Sequence, residues 1–237
     1  MKPRPAGVVT VLILLFSMGH VMVRGGEVPL SRDVAFHTAF DGNAREEVSQ
    51  CAGDIFGATL TTDNRDLPDN AYHFSGVDSH IDFNDIPPLN IRRFTLCAWI
   101  KLERIDPFQR YVIFSKGAHV VELRVENSRL AIGFSGKEEL FFSHSILRND
   151  RWSHACFTVD EEREAVNVHL FVNGVHDGSG YKRTSLQPDG NGFWIGNRFG
   201  YPYLGILGSI ADVKGFNRAL NPSEILTLFH SESGYHK

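Results

Sequence analysis

The sequence predicts an all-β fold in which two antiparallel sheets pack as a sandwich, with one short helix at the C-terminal end. Three observations support this prediction. Apolar and polar residues alternate at period two in several segments, turn-forming residues separate these segments about every ten residues, and a helical pattern occurs near the C-terminus. Short strands at such regular spacing are typical of a sandwich.

The first 25 residues resemble a secretory signal peptide. A basic start is followed by an apolar run from Val8 to Phe16, which has the length of a signal-peptide core and is too short to span a bilayer. We expect cleavage after Gly25, with Gly19 as a second site and an uncleaved anchor as the alternative. The protein is therefore expected to be secreted, with no membrane span and with one domain over residues 26–237.

Composition is that of an ordinary globular protein. Hydrophobic residues make up 42% of the chain and charged residues 22%. Removal of 25 residues from 237 leaves a mature chain of 212, which is long enough to bury a sizeable core. The net charge is −4 without a long run of Lys or Arg, which argues against a nucleic-acid partner.

Alternation is clearest in the middle of the chain. It extends from Phe94 to Leu102, then over Val121–Val125 and Leu130–Phe134, which a polar turn separates. A further strand, Val166–Val172, leads into Asn173-Gly174, after which apolar residues resume. An Asn-Gly pair between such strands is a strong hairpin signal, because both turn residues must adopt positive φ.

One short helix is predicted near the C-terminus. Asn221-Pro-Ser-Glu224 combines an N-cap, a proline at the first helical position and a glutamate that can reach back to the cap. One apolar face follows, formed by Ile225, Leu228 and Phe229. So short a helix must pack on the sandwich to be stable.

Eight short motifs follow one another along most of the chain. They are Ala71–Gly76, Ser79–Phe83, Phe94–Trp99, Trp152–Cys156, Phe171–Val175, Phe193–Gly196, Gly208–Val213 and Phe216–Leu220. In the order and spacing of these motifs, the chain from about Val34 to Phe229 resembles the laminin-G-like and pentraxin-like domains of the concanavalin A-like lectin/glucanase superfamily. The resemblance implies a jelly-roll sandwich that serves as a lectin-like extracellular binding module.

Three cysteines leave one over when two of them pair. In pentraxin-like domains the positions that match Cys97 and Cys156 form a bridge, so the resemblance implies a Cys97–Cys156 disulfide. The alternative is two buried thiols. Cys51 lies in a region without strand pattern and is either reduced or links two chains. A disulfide-linked dimer through Cys51 would suit a structural component of the extracellular matrix.

A possible enzymatic function is tested by one strand motif. The β-glucanases of the superfamily carry Glu-(Ile/Leu)-Asp-x-Glu, and this chain has Glu122-Leu-Arg-Val-Glu126. Glu122, Arg124 and Glu126 share one strand face. Arg124 would pair with both glutamates, whereas hydrolysis needs a protonated carboxyl group. We expect a solvated charge stripe and a non-catalytic protein, and a β-glucanase-like hydrolase is the least favoured alternative.

The resemblance also implies candidate calcium ligands. Many relatives bind calcium through loop carboxylates. The loop that is acidic in pentraxins reads Asn197-Arg-Phe-Gly200 here and has no acid. The remaining candidates for one structural calcium ion are Asp41, Asn43 and Asp212. Asp41-Gly-Asn43 equally fits a plain turn. No other cofactor is predicted.

The aromatic loop Phe199-Gly-Tyr-Pro-Tyr203 is the best candidate binding surface. Sugar rings and peptides stack on such exposed aromatic rings. The candidate ligand-binding residues are Asn197, Arg198, Phe199, Tyr201 and Tyr203. The alternative is a loop folded onto its own sheet, with Tyr203 buried. The expected function is recognition of an extracellular carbohydrate or protein ligand through the sandwich loops.

Overall fold

Two antiparallel sheets form a sandwich in the computed structural model, which describes residues 30–83, 92–116, 121–134, 140–163, 165–183, 186, 192–198 and 200–234. Fifteen strands and one α-helix are present in these residues. The strands are β1 (Val34–Thr38), β2 (Asp54–Phe56), β3 (Thr59–Thr61), β4 (Ala71–Ser75), β5 (His80–Phe83), β6 (Arg93–Leu102), β7 (Arg110–Lys116), β8 (Val121–Glu126), β9 (Arg129–Phe134), β10 (Leu140–Phe142), β11 (Ser153–Glu162), β12 (Ala165–Val172), β13 (Val175–Arg183), β14 (Phe193–Ile195) and β15 (Leu207–Phe216). The helix, α1, spans Pro222–Glu232.

The strand order confirms the predicted sandwich. The first sheet has the order β13-β12-β11-β6-β15-β4-β3, and β1 also pairs with β15. The second sheet has the order β10-β9-β8-β7-β14-β5-β2. Many neighbouring strands are distant in sequence, as where β6 lies between β11 and β15. Both sheets are therefore built by pairing between strands that are distant in sequence.

The core lies between the sheets because alternation directs one face of each strand inward. Leu123 and Val125 of β8 are fully buried. The ring of Phe114 on the second sheet lies 5.8 Å from that of Phe157 on the first and 5.9 Å from that of Phe193. The first contact crosses the sandwich and the second lies within one sheet, and both remove large apolar areas from water.

The predicted turns have the backbone that their residues favour. Asn173 and Gly174, between β12 and β13, have φ values of 51° and 77°. Asn127 and Ser128, between β8 and β9, have φ values of 52° and 60°. Positive φ at both positions matches the right-handed twist of a two-residue hairpin.

Helix α1 packs on the outer face of the first sheet. The Oδ1 atom of Asn221 accepts a hydrogen bond from the Glu224 backbone N at 3.0 Å, and the Glu224 carboxylate accepts one from the Asn221 backbone N at 2.8 Å. This is the predicted capping box. The helix then buries its apolar face in a cluster of Cys97, Cys156, Phe171, Phe216, Leu220, Ile225 and Leu228.

The predicted disulfide is present beneath α1. Cys97 on β6 and Cys156 on β11 are directly opposite each other, bonded and buried. Cys51 does not take part in this disulfide and is partly buried. A dimer linked through Cys51 stays a prediction.

The predicted signal peptide, residues 1–25, lies outside the described residues. Export therefore also stays a prediction. None of the helices in the described part of the chain has the length and apolar character needed to cross a membrane.

We expect the Cys97→Ala/Cys156→Ala variant to lose about 4 kcal/mol of unfolding free energy, because the bridge closes a long loop, with a sequence separation of 59. Urea denaturation against the wild type measures this loss. Cys51→Ala is the matched control because it keeps the Cys97–Cys156 bridge. A reductant should therefore lower its unfolding free energy by as much as it lowers that of the wild type. A double variant as stable as the wild type would show that the bridge does not restrict the unfolded chain.

Candidate ligand-binding site

The charged residues of β8 lie on the outer face of the second sheet, with Glu122 and Arg124 buried and Glu126 partly buried. Glu122, Arg124 and Glu126 alternate with the core residues Leu123 and Val125. Arg124 is 6% exposed and Glu122 is 8% exposed, so the expectation of a solvated stripe was wrong. Burial makes pairing obligatory for these charges. Arg124 Nη1 donates to Glu122 Oε1 at 2.9 Å, and Arg124 Nη2 contacts Glu126 Oε2 without hydrogen-bond geometry.

Two further arginines extend this stripe. Arg198 Nη1 lies 3.3 Å from Glu122 Oε2, and Arg110 Nε lies 3.7 Å from Glu126 Oε2. The five residues form an alternating row, Arg110–Glu126–Arg124–Glu122–Arg198, which we call the charge ladder. Three arginines and two glutamates give the ladder one net positive charge. Its ends come from β7 and from the loop between β14 and β15 (residues 196–206).

Both ends of the charge ladder reach one pocket. This pocket is open, has a volume of about 470 Å³, and is lined by Phe108, Gln109, Arg110, Arg198, Tyr201, Tyr203 and Leu204. The lining residues include two arginines and, in the part of the chain that the structure describes, no carboxylate. Phe108 is 95% exposed and Tyr203 is 65% exposed. We call this the arginine–aromatic pocket.

Backbone contacts hold the 196–206 loop in place. Gly196 N donates to Ile113 O at 2.7 Å, and Ser115 Oγ donates to Asn197 O at 3.2 Å. Asn197 Oδ1 accepts from Arg198 N at 2.8 Å. Asn197 is fully buried. It therefore supports the loop and is not exposed to contact a ligand, in contrast to its predicted role.

The described part of this loop carries two aromatic rings, of which Tyr203 is exposed and Tyr201 is partly exposed. The Arg198 guanidinium carbon lies 4.4 Å from the ring centroid of Tyr201, which is within the range of a cation–π contact. The Tyr201 and Tyr203 rings meet edge to face at 6.2 Å. Tyr203 is exposed, which differs from the alternative of a buried ring. Phe199, the remaining candidate, lies outside the described residues.

The sequence-based prediction did not include the pocket residues that come from the connection between β6 and β7 and from the start of β7. Asp106 Oδ1 accepts from Phe108 N at 2.9 Å, and Tyr111 Oη accepts from Asp106 N at 3.0 Å. This turn projects Phe108 into solvent and leads into Arg110. Asp106-Pro-Phe-Gln is a recognisable turn signal. Its proximity to a loop about ninety residues later is a long-range contact that local patterns do not encode.

A second group of rings lies on β14, β5 and β2, towards the other edge of this sheet. Phe56 stacks on His80 at 4.6 Å, and His80 stacks on Trp194 at 3.9 Å. Burial lowers the pKa of His80, and burial raises the pKa of Asp82 on the same strand. His80 stacks on both other rings, and Phe56 is 48% exposed, so the arginine–aromatic pocket offers the more exposed aromatic surface.

Comparison with known proteins agrees with this architecture. A family model described as the concanavalin A-like lectin/glucanases superfamily matches residues 75–226. The chain belongs to this superfamily. No curated protein matches the chain significantly.

Solved structures with the same fold include binding and glycosidase-related proteins. Domain 4 of AbnA, an extracellular arabinanase of Geobacillus stearothermophilus solved with arabinotriose, has a TM-score of 0.62 and 20% identity over 83% of this chain and 98% of that domain. The binding domain of Paraclostridial Mosquitocidal Protein 1 has a TM-score of 0.66 and 16% identity over 85% and 53%. Trypanosoma rangeli sialidase, solved with sialic acid, has a TM-score of 0.65 and 19% identity over 86% and 34%. This chain thus spans about half of the toxin domain and a third of the sialidase, and the likeness shows the fold alone.

The calcium candidates Asp41 and Asn43 lie in a plain turn of this chain. Asn43 Nδ2 donates to Asp41 O at 2.8 Å, and Asn43 Oδ1 accepts from Arg45 N at 2.8 Å. One lone pair of the amide oxygen is therefore used by the backbone. Calcium binding at Asp41 and Asn43 stays a prediction.

Asp212, the third candidate, is paired with basic residues. Its Oδ1 lies 2.8 Å from His37 Nε2, and its Oδ2 accepts from Lys214 Nζ at 2.8 Å. Lys214 also contacts Glu232 of α1, whose carboxylate accepts from Trp99 Nε1 at 3.2 Å. Asp212 thus belongs to a buried ionic network between the first sheet and α1. Both oxygens would have to leave basic partners before calcium could bind, so these contacts do not favour the predicted site.

This network shifts the pKa of Asp212. Burial alone would raise it, but the hydrogen bond from His37 and the charge and hydrogen bond of Lys214 outweigh burial and lower the pKa to about 2. A carboxylate whose pKa is lower in the folded state stabilises the fold above its unfolded pKa. That contribution is lost as the pH falls through the folded pKa.

We expect Asp212→Asn to lower the unfolding free energy by about 2 kcal/mol at pH 7, because the pKa falls from the model-peptide value of 3.8 to about 2. The difference from the wild type should shrink as the pH falls from about 5 towards 2. Urea titrations at several pH values measure it, with the exposed Asp41→Asn as the control. A difference that does not change with pH would contradict this account.

Proposed function

We propose that the protein is a secreted, non-catalytic module that binds an extracellular glycan in the arginine–aromatic pocket. The observation that carries the proposal is the exposure of Phe108 and Tyr203 beside two arginines in one pocket of about 470 Å³. This volume lies in the range of small-ligand sites. Exposed aromatic rings supply stacking surfaces, and arginine forks supply directional hydrogen bonds, which are the two contacts that a sugar uses.

The structural neighbours support a binding module. One was solved with arabinotriose, one with sialic acid, and one is the binding domain of a toxin. These ligands belong to those proteins, and the present chain shares the fold with them. The pocket residues of this chain therefore carry the choice of ligand.

The charge ladder supports binding rather than glycoside hydrolysis. Hydrolysis by paired carboxylates needs one group that remains protonated to serve as the acid. Glu122 is paired with Arg124 and Arg198, and Glu126 lies against Arg124 and Arg110. Each of the two carboxylates is therefore engaged by two arginines, and neither lines the pocket.

We expect the mature protein to bind one defined class of glycans on a broad glycan array. Binding should be the same in calcium and in a chelator, because the proposed contacts come from side chains and need no metal ion. Tyr203→Ala should weaken that binding about tenfold, since it removes an exposed stacking ring. Tyr181→Ala, an exposed tyrosine on β13 outside the pocket lining, is the matched control and should bind like the wild type.

Each other outcome has a clear meaning. Absence of glycan binding in both conditions would contradict the proposal and favour a protein ligand. Full binding by Tyr203→Ala would place the site elsewhere. Loss of binding with chelator would return attention to Asp41, Asn43 and Asp212 as calcium ligands.

A further inference from the structure

We infer that the arginine–aromatic pocket selects glycans that carry a carboxylate or sulfate group, an inference that rests on the proposed glycan-binding function. The charges at the pocket surface are the starting point. Arg110 and Arg198 line the pocket, whereas Glu122 and Glu126, their partners in the charge ladder, are not among the lining residues. The charged groups that a ligand meets in the pocket are therefore guanidinium groups.

Arg110 offers the more available of the two guanidinium groups. Its side chain is 48% exposed. The distance of 3.7 Å from its Nε to Glu126 Oε2 is too long for a hydrogen bond. Guanidinium N–H groups form a planar fork that matches the geometry of carboxylate and sulfate oxygens. Arg110 is therefore the expected direct partner of the acidic group.

Arg198 is held in position before any ligand arrives. Its Nη1 contacts the buried Glu122, and its guanidinium lies over the Tyr201 ring. Its side chain is 19% exposed, so it remains accessible at the pocket wall. A side chain that is already fixed loses less conformational freedom when it binds. Glu122 acts here as a positioning residue, because it holds Arg198 and does not line the pocket.

The aromatic rings distinguish an acidic sugar from a simple anion. Phe108 and Tyr203 belong to the same lining as the two arginines. A sugar ring can stack on an aromatic face while its acidic substituent pairs with a guanidinium group. An inorganic anion could use the arginines alone. The combination therefore favours an acidic saccharide.

The test compares two oligosaccharides that differ in the acidic group alone, such as a uronic acid oligosaccharide and its carboxyl-reduced form, or a sulfated oligosaccharide and its desulfated form. Isothermal titration measures the Kd of each for the wild type at low and moderate salt. We expect the acidic form to bind at least about tenfold more tightly, with a preference that declines as salt rises.

Arg110→Gln and Arg198→Gln locate the preference. Each should weaken binding of the acidic oligosaccharide about tenfold and reduce the ratio between the acidic and neutral forms. Arg183→Gln removes an exposed arginine of β13 outside the pocket and is the matched control, which should keep the wild-type ratio. Thermal unfolding of each variant confirms that the fold is retained.

The outcomes separate this inference from the proposed function. Equal binding of acidic and neutral forms, weakened by Tyr203→Ala, would overturn the acidic selection and leave glycan binding in place. Failure of both forms to bind would overturn both. One contrary result is that Arg110→Gln and Arg198→Gln each keep the wild-type preference for the acidic oligosaccharide, and another is that Arg183→Gln loses it as well. Either result would show that the preference comes from the general surface charge and would overturn the inference. Equal competition by polyglutamate would show that an acidic peptide suffices, which would also overturn the inference.

Discussion

The burial of Arg124 is the constraint on which the outer face of the second sheet depends. A guanidinium group with 6% exposure has lost most of its hydration, so its charge must be matched by nearby acids. Removal of one partner from such a buried pair costs about 3–5 kcal/mol. Glu122 and Glu126 are thereby fixed on either side of Arg124, and each has a second contact with a pocket arginine.

Function follows from this order of charges. In the β-glucanase pattern the centre of the motif is an aspartate, and the row of acids supports proton transfer. An arginine at the centre gives each glutamate a cationic partner and leaves the whole charge ladder with a net positive charge. Here the glutamates of the motif instead contact Arg110 and Arg198 at the wall of the arginine–aromatic pocket.

The sequence predicted much of the fold because periodicity and turn residues are local signals. Strand parity also placed Glu122, Arg124 and Glu126 on one face. The burial of that face depends on residues that are distant in sequence, such as Arg198, and local patterns do not encode such contacts. The aromatic content of the 199–203 segment indicated part of the pocket, whereas Phe108 joins it through the tertiary fold. Asn197 had a binding-type side chain, but its burial at the start of the 196–206 loop decides its role.

The most direct test of the positioning role of the charge ladder is the affinity of Glu122→Gln for the acidic oligosaccharide. Glu122 is buried outside the pocket lining, so its effect must act through Arg198 and Arg124. Our account predicts weaker binding by the folded variant, with the exposed Glu162→Gln unchanged as a control. Loss of a negative charge without a positioning role would strengthen binding of an anion. Unchanged or tighter binding by Glu122→Gln would therefore contradict the account.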